Sequence, residues 1–260
     1  MKSHILFLLP IFILFSFFSC QKVIELDLND ENEKIIIEGI VNKDSTEHYV
    51  LVRKTINFDD NSTLPTIDDA VVTISDNFGN SQILTLISPG KYKTTNFIGV
   101  EGRTYTLNVS YDGINYISNS TMPNNVEIDS IMLQEFSFGV EPVYFPIPVR
   151  LDPVGVKNYY NFNLYKNNKR IDGIYLQDDE YSDGVEIMQP VFGGEYLSKD
   201  SLKLEMFCVD QFVYKYFYTL SVNAGGTGGA TPANPESNIS GGCLGYFSAQ
   251  TKQVKSIIIP

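Results

Sequence analysis

From Lys34 onward the chain is a succession of short β-branched and aromatic runs divided by tight-turn residues, a pattern that restricts it to a β-rich scaffold. Residues 34–41 (KIIIEGIV), 48–54 (HYVLVRK), 70–75, 82–87, 91–95, 104–111 and 114–120 have strand length and composition. In 104–111 (TYTLNVSY) polar and apolar residues alternate, the period of a strand buried on one face only. Asp76-Asn77-Phe78-Gly79-Asn80, Pro89-Gly90 and Asp112-Gly113 separate these runs, and such residues accept the backbone angles that tight turns need. Seven runs in about 90 residues, with turns at short intervals, predict an immunoglobulin-like or transthyretin-like β-sandwich over 34–121. The polar stretch 57–68 reads as a loop.

Met122-Pro123-Asn124-Asn125 interrupts the pattern and marks a boundary. Beyond it a second β-rich domain with one helix is expected over 126–260. Strands are read at 128–134, 143–151, 159–165, 170–176, 185–192 and 201–208. Pro142, Pro146 and Pro148 place the second of these at an edge or in an irregular segment. Residues 159–165 alternate aromatic residues with asparagine. Asp210 is a helix N-cap candidate, and Phe212, Val213, Tyr216, Phe217 and Leu220 fall on one face of a helix near 211–222. Gly- and Pro-rich residues 225–237 form an expected exposed loop, and 244–249 and 254–259 end the chain as strands, the last of them expected in the second sheet.

The first nineteen residues have a different character. Lys2 precedes an apolar run from Ile5 to Phe18, closed by Ser19-Cys20. The run falls short of the ~20 residues that span a bilayer, and its layout is that of a cleaved export signal with Cys20 as the lipid acceptor. Residues 20–33, rich in Asp, Glu and Asn, read as an acidic tether. The full chain has 19 Lys+Arg against 31 Asp+Glu, a formal charge of −12; without Lys2 the remainder stands at −13. Such a surface repels phosphate backbones, which disfavours nucleic acid as a partner. Membrane attachment then falls to the N-terminal lipid.

With Cys20 acylated, Cys208 and Cys243 remain: either a disulfide, worth ~3 kcal/mol, or two buried thiols. Beyond the signal, His48 is the only histidine and no CxxC spacing is present, which disfavours a zinc site; His48 falls in an expected strand, which disfavours a histidine-based triad or Cys-His dyad. The chain contains no GxSxG elbow, phosphate-binding glycine loop or HExxH helix. Asp178-Asp179-Glu180 and Asp183-Gly184 form the densest acidic cluster. Pro190 stands where a calcium loop needs its final glutamate, so a solvated turn is expected. Two positioned acids suffice for a glycosidase, which keeps a carboxylate-dependent hydrolase open. No catalytic residue, metal ligand or cofactor is assigned. Phe136-Ser137-Phe138-Gly139 and Tyr144-Phe145, beside the prolines, are candidates for an exposed aromatic surface.

Several segments together resemble a family. They are Ser19-Cys20-Gln21-Lys22-Val23-Ile24-Glu25-Leu26-Asp27-Leu28, Ile35-Ile36-Ile37-Glu38-Gly39, Asp69-Ala70-Val71-Val72-Thr73-Ile74, Gly90-Lys91-Tyr92 and Gly102-Arg103-Thr104-Tyr105-Thr106-Leu107. Asn234-Pro235, Asn238-Ile239-Ser240-Gly241-Gly242 and Leu244-Gly245-Tyr246-Phe247 complete the series. In this order they resemble the Bacteroidota lipoproteins of domain of unknown function 4249. The resemblance implies a lipid-anchored outer-membrane protein, on either face, acting as a non-enzymatic binding or accessory subunit beside a TonB-dependent transporter. It carries over no catalytic residues. An adhesive or structural envelope module is the alternative. Ser45, Ser130 and Ser201, each after an aspartate, resemble the Asp-Ser/Thr sites at which exported Bacteroidota proteins are O-glycosylated.

Overall fold

A computed structural model describes residues 33–56, 63–137, 139, 141–224 and 234–260. The expected signal (1–19), Cys20, most of the tether, Phe138 and most of the 225–237 loop lie outside the described residues. Those described fall within one compact unit that is mainly β, with one helix. In chain order come β1 (Ile35–Asn42), β2 (Tyr49–Lys54), β3 (Val71–Asp76), β4 (Ser81–Ile83), β5 (Thr85–Ser88), β6 (Lys91–Lys93), β7 (Thr104–Tyr111) and β8 (Ile114–Thr121). Then follow β9 (Ser130–Phe136), β10 (Val143–Leu151), β11 (Tyr159–Lys166), β12 (Lys169–Asp178), β13 (Glu186–Ile187), β14 (Ser201–Val209), α1 (Gln211–Ala224) and β15 (Leu244–Ile258).

The strands form an eight-stranded sheet, β12-β11-β14-β15-β1-β2-β6-β5, and two smaller ones, β4-β3-β7-β8 and β13-β10-β9. Each smaller sheet covers part of the large one. Ile37, Val50, Val52, Val72, Ile74, Leu107, Val109 and Phe247 meet in a first core. Tyr160, Phe162, Leu164, Leu202, Leu204, Met206 and Ile187 meet in a second. The inward residues of β7 (Tyr105, Leu107, Val109) and of β11 (Tyr160, Phe162, Leu164) follow the two-residue period of their sequences.

The structure departs from the sequence pattern in four places. First, β15 crosses the expected division into 34–121 and 126–260. Its first half pairs parallel with β1, from Ile36↔Leu244 to Asn42↔Gln250, and its second half antiparallel with β14, from Cys208↔Thr251 to Ser201↔Ile258. One continuous strand therefore serves both cores, where the sequence pattern predicts two strands, the last of them in the second sheet. Second, the run 82–87 divides at buried Leu84, whose N–H donates to the Val72 carbonyl at 2.8 Å. β4 stays with β3, whereas β5 moves across to β6 in the other sheet. Third, 185–192 contributes only Glu186–Ile187 as strand.

Fourth, β10 is flanked on both sides, yet it keeps its prolines. Tyr144 exchanges backbone bonds with Tyr196, and the Pro146 carbonyl accepts from Val191 N–H at 2.8 Å. Alternate backbone groups of a strand face opposite flanks, so positions 144, 146 and 148 turn away from β9. The missing N–H groups of Pro146 and Pro148 thus cost no bond to β9. Helix α1 begins as its sequence predicts: Asp210 Oδ1 accepts from Phe212 N–H at 2.9 Å and Val213 N–H at 3.0 Å. The other oxygen of Asp210 accepts from the Ser120 hydroxyl, which ties the helix start to β8.

His48 is fully buried in the first core. Its Nδ1 accepts from Asn42 N–H at 3.3 Å, so the ring proton resides on Nε2 and is donated to the Phe97 carbonyl at 2.6 Å. Burial pushes the imidazole below its ordinary value. The unfolded chain therefore takes up this proton first, at about pH 6.5, and the stability that neutral His48 supports is full above that pH and declines as the pH falls. The midpoint of urea unfolding is expected to drop from pH 8 to pH 5, and to drop less in His48→Gln, whose amide does not titrate. Equal drops in both chains would refute this role.

Candidate functional site

The acidic cluster singled out in the sequence lies in the turn between β12 and β13, against the 152–158 loop. Most of its carboxylates hold backbone. Asp179 Oδ2 accepts from Asn158 N–H at 2.8 Å and Asp183 Oδ1 from Gly155 N–H at 2.6 Å. In return, Asp152 Oδ2 accepts from Gly184 N–H at 3.1 Å. These three bonds clamp the two loops together. Asp152 and Asp179 are buried, and burial raises the Asp152 carboxyl above the usual range. Among the described residues no group of three or more His, Cys, Asp or Glu is arranged to hold a metal ion.

Beside the clamp lies a cleft of about 510 Å³ between the end of β12, β13 and the first turn of α1. Asp178, Glu180 and Glu186 line it together with Gln177, Met188, Tyr181 and Tyr214. Tyr181 stands at its rim, 94% exposed. The Tyr214 hydroxyl donates to Asp178 Oδ2 at 2.8 Å, and burial pushes its pKa above the ordinary phenol value. Tyr159 packs against the Tyr214 ring at 5.0 Å. One wall of the cleft is fixed from behind. Gln177 Nε2 donates to the carbonyls of Gln189 and Pro190, both at 3.2 Å, while its Oε1 accepts from Arg150 at 3.0 Å.

Arg150 has no exposed surface, and the hydrogen bonds of its guanidinium go to uncharged acceptors. It also donates to the Pro148 carbonyl at 3.2 Å, and its guanidinium lies 4.2 Å from the centre of the Tyr160 ring and 5.8 Å from that of Phe162. The negative ring faces compensate part of the buried charge. Burial lowers the Arg150 value and raises that of Tyr160. Nothing in the spacing of the sequence singles out Arg150, because its partners come from β10, β11 and β12.

The expected aromatic surface is partly assembled. Phe136 and Phe145 meet edge to face at 5.6 Å, and Phe192 joins them at 6.3 and 5.4 Å. Phe192, missed in the sequence, is 62% exposed. Tyr144 turns inward against the second core. The disulfide alternative does not form. Cys208 and Cys243 are both free and buried, the first in the second core and the second in the first. Of the serines, Ser45 donates to the Glu47 carbonyl at 2.8 Å, Ser130 is exposed at the start of β9, and Ser201 opens β14 with its N–H on Asn167.

No helix among the described residues is long and apolar enough to cross a membrane. A family model described as domain of unknown function (DUF4249) matches residues 21–256. The chain belongs to this family. Comparison with curated proteins returns no match. The DUF4249 match opens directly after Cys20 and closes inside β15, so it takes in both cores, the clamped loops and α1.

Proposed function

We propose that this DUF4249 chain is a lipid-anchored protein of the outer membrane that binds a ligand or partner for a TonB-dependent transporter and catalyses no reaction itself. The observation that carries this reading is the run Ile5–Phe18 ending in Ser19-Cys20, followed by an acidic tether and a β-rich body. A net charge of −13 beyond the signal leaves the lipid as the means of attachment. The sequence resemblance set out above supports the transporter as partner.

Metabolic labelling with palmitate is expected to mark the wild-type chain and leave Cys20→Ala unmarked and released from membranes. Label retained by Cys20→Ala would refute the anchor. Affinity purification of the lipidated chain from its own membrane is expected to recover a TonB-dependent transporter, and recovery of none would count against the partner.

A second reading has one observation in its favour: Asp178, Glu180 and Glu186 all line the 510 Å³ cleft. Carboxylates facing one cleft are what a hydrolase of glycosidic bonds requires. Release of reducing ends by the wild type, abolished in Glu180→Gln, would establish it; equal release by both chains would dismiss it.

A further inference from the structure

The outward face of the large sheet contains a second recess, and a strand of unsuitable composition leads to it. While Tyr160, Phe162 and Leu164 of β11 enter the core, Asn161 and Asn163 face outward. Asparagine is disfavoured in strands, and β11 is an interior strand bonded to both β12 and β14. Two asparagines at its middle therefore weaken the sheet without adding to the core. The β11–β12 register shifts between Phe162 and Leu164, and Gly173 on β12 takes φ +146°. An irregularity of this kind re-aims side chains and opens the surface of a sheet.

The recess has a volume of about 250 Å³. Asn161 and Asn163 line it with Arg170, Phe207, Phe217 and Tyr246. Phe217 comes from α1 and packs on Tyr246 at 4.8 Å, so the helix fixes one side. Arg170 is exposed and donates to Asn163 Oδ1 at 2.9 Å, while no described group bonds the Asn161 amide. Beside the recess, Glu205 is neutralised by Lys203 at 3.3 Å and Lys252 at 2.9 Å and also accepts from Tyr165 at 3.0 Å and from the Asn163 amide at 3.4 Å. Glu38 is paired with Arg53. Among the described residues Arg170 has no carboxylate partner.

We propose that this recess binds an acidic monosaccharide, a single hydroxylated ring bearing a carboxylate. The volume lies below the ~300 Å³ at which sites for drug-sized ligands begin, which limits the occupant to about one ring. Side-chain amides both donate and accept, as hydroxyl groups do, so the unbonded amide of Asn161 takes a hydroxyl, while Asn163, held between Arg170 and Glu205, fixes the Arg170 fork. Phe207 and Phe217 take the apolar ring face. Arg170 takes the carboxylate, for which its planar fork is suited. The site is independent of the proposed anchor and transporter, and failure to recover a transporter leaves it standing.

Calorimetric titration of the purified full-length chain in detergent, at fixed ionic strength, tests the site with sodium glucuronate, sodium galacturonate, glucose and sodium benzoate. Saturable binding of at least one uronate is expected with Kd below ~1 mM, with glucose and benzoate each at least tenfold weaker. Arg170→Gln should weaken uronate binding at least tenfold and leave glucose unchanged, and Asn161→Ala should weaken both sugars. Both positions are on the solvent face, and circular dichroism checks that each variant remains folded. The proposal is overturned by the absence of saturable uronate binding up to about 20 mM, or by glucose or benzoate binding as tightly. It is also overturned if uronate binding survives both substitutions but is lost in Glu180→Gln, which would place the ligand in the other cleft.

Discussion

Gly245→Ala is expected to prevent the chain from reaching its folded state. Gly245 sits opposite Ile37 in the parallel pairing of β15 with β1, at φ +98°. A Cβ there would lie 2.0 Å from the Ile37 carbonyl oxygen and 2.8 Å from its carbon. Neither is the end of a flexible side chain, so the two strands would have to separate. Ile37 is fully buried in the first core, which would open with them. The loss should exceed ~4 kcal/mol, a large part of the ~5–15 kcal/mol that holds a typical domain together. Gly242 supplies the control: it also has positive φ, +79°, but nothing lies within 4 Å of its Cβ position. Gly242→Ala should bear only the conformational penalty of about 1–2 kcal/mol. Soluble yield and urea unfolding compare the two, and equal midpoints would show that β1 and β15 are not in this contact.

The second large effect concerns Arg150. Arg150→Ala is expected to lose about 3–5 kcal/mol, since it removes a long side chain from a packed core and strands buried acceptors. Those acceptors are Gln177 Oε1 and the Pro148 carbonyl. Arg150→Met fills much of the volume and removes the cost of burying a charge, and it should recover at least half of the loss. Denaturant unfolding separates the outcomes: if methionine is no better than alanine, the polar bonds outweigh the packing. The effect should also reach the acidic cleft, because Gln177 is held between Arg150 and the Gln189 and Pro190 carbonyls.

How much of this was legible follows from the range over which each feature is determined. The strand positions of β1, β2, β7, β8, β11 and β14 and the helix with its Asp210 cap were visible, because alternation and capping are local properties. The sheet change at Leu84 was not, since 82–87 is uniformly strand-like and only its partners differ. β15 was read as two strands because polar Gln250–Gln253 interrupts its apolar residues. That stretch is nonetheless paired, Gln250 to Asn42 and Gln253 to Met206. The unpaired cysteines could not be deduced from spacing, which does not reveal which core a residue enters. The carboxylate cluster was visible, but its clamping of 152–158 was not. For the recess, the asparagines of β11 were conspicuous, whereas Arg170, Phe207, Phe217 and Tyr246 arrive from three other strands and the helix.

The pairing of β1 with β15 also sets the order of events as the chain is made. The Gln250 side chain donates to that of Asn42 across 208 residues of sequence. At synthesis rates of ~5–20 residues per second, on the order of 10–40 s pass before β1 meets this neighbour. Meanwhile β1 has β2 on one side and an open edge on the other, the kind of edge that recruits other strands. Contacts this distant make for slow folding, on the scale of milliseconds to seconds even for a completed chain. The first core is thus begun early and closed late, and the polypeptide stays threadable until its far end has been delivered.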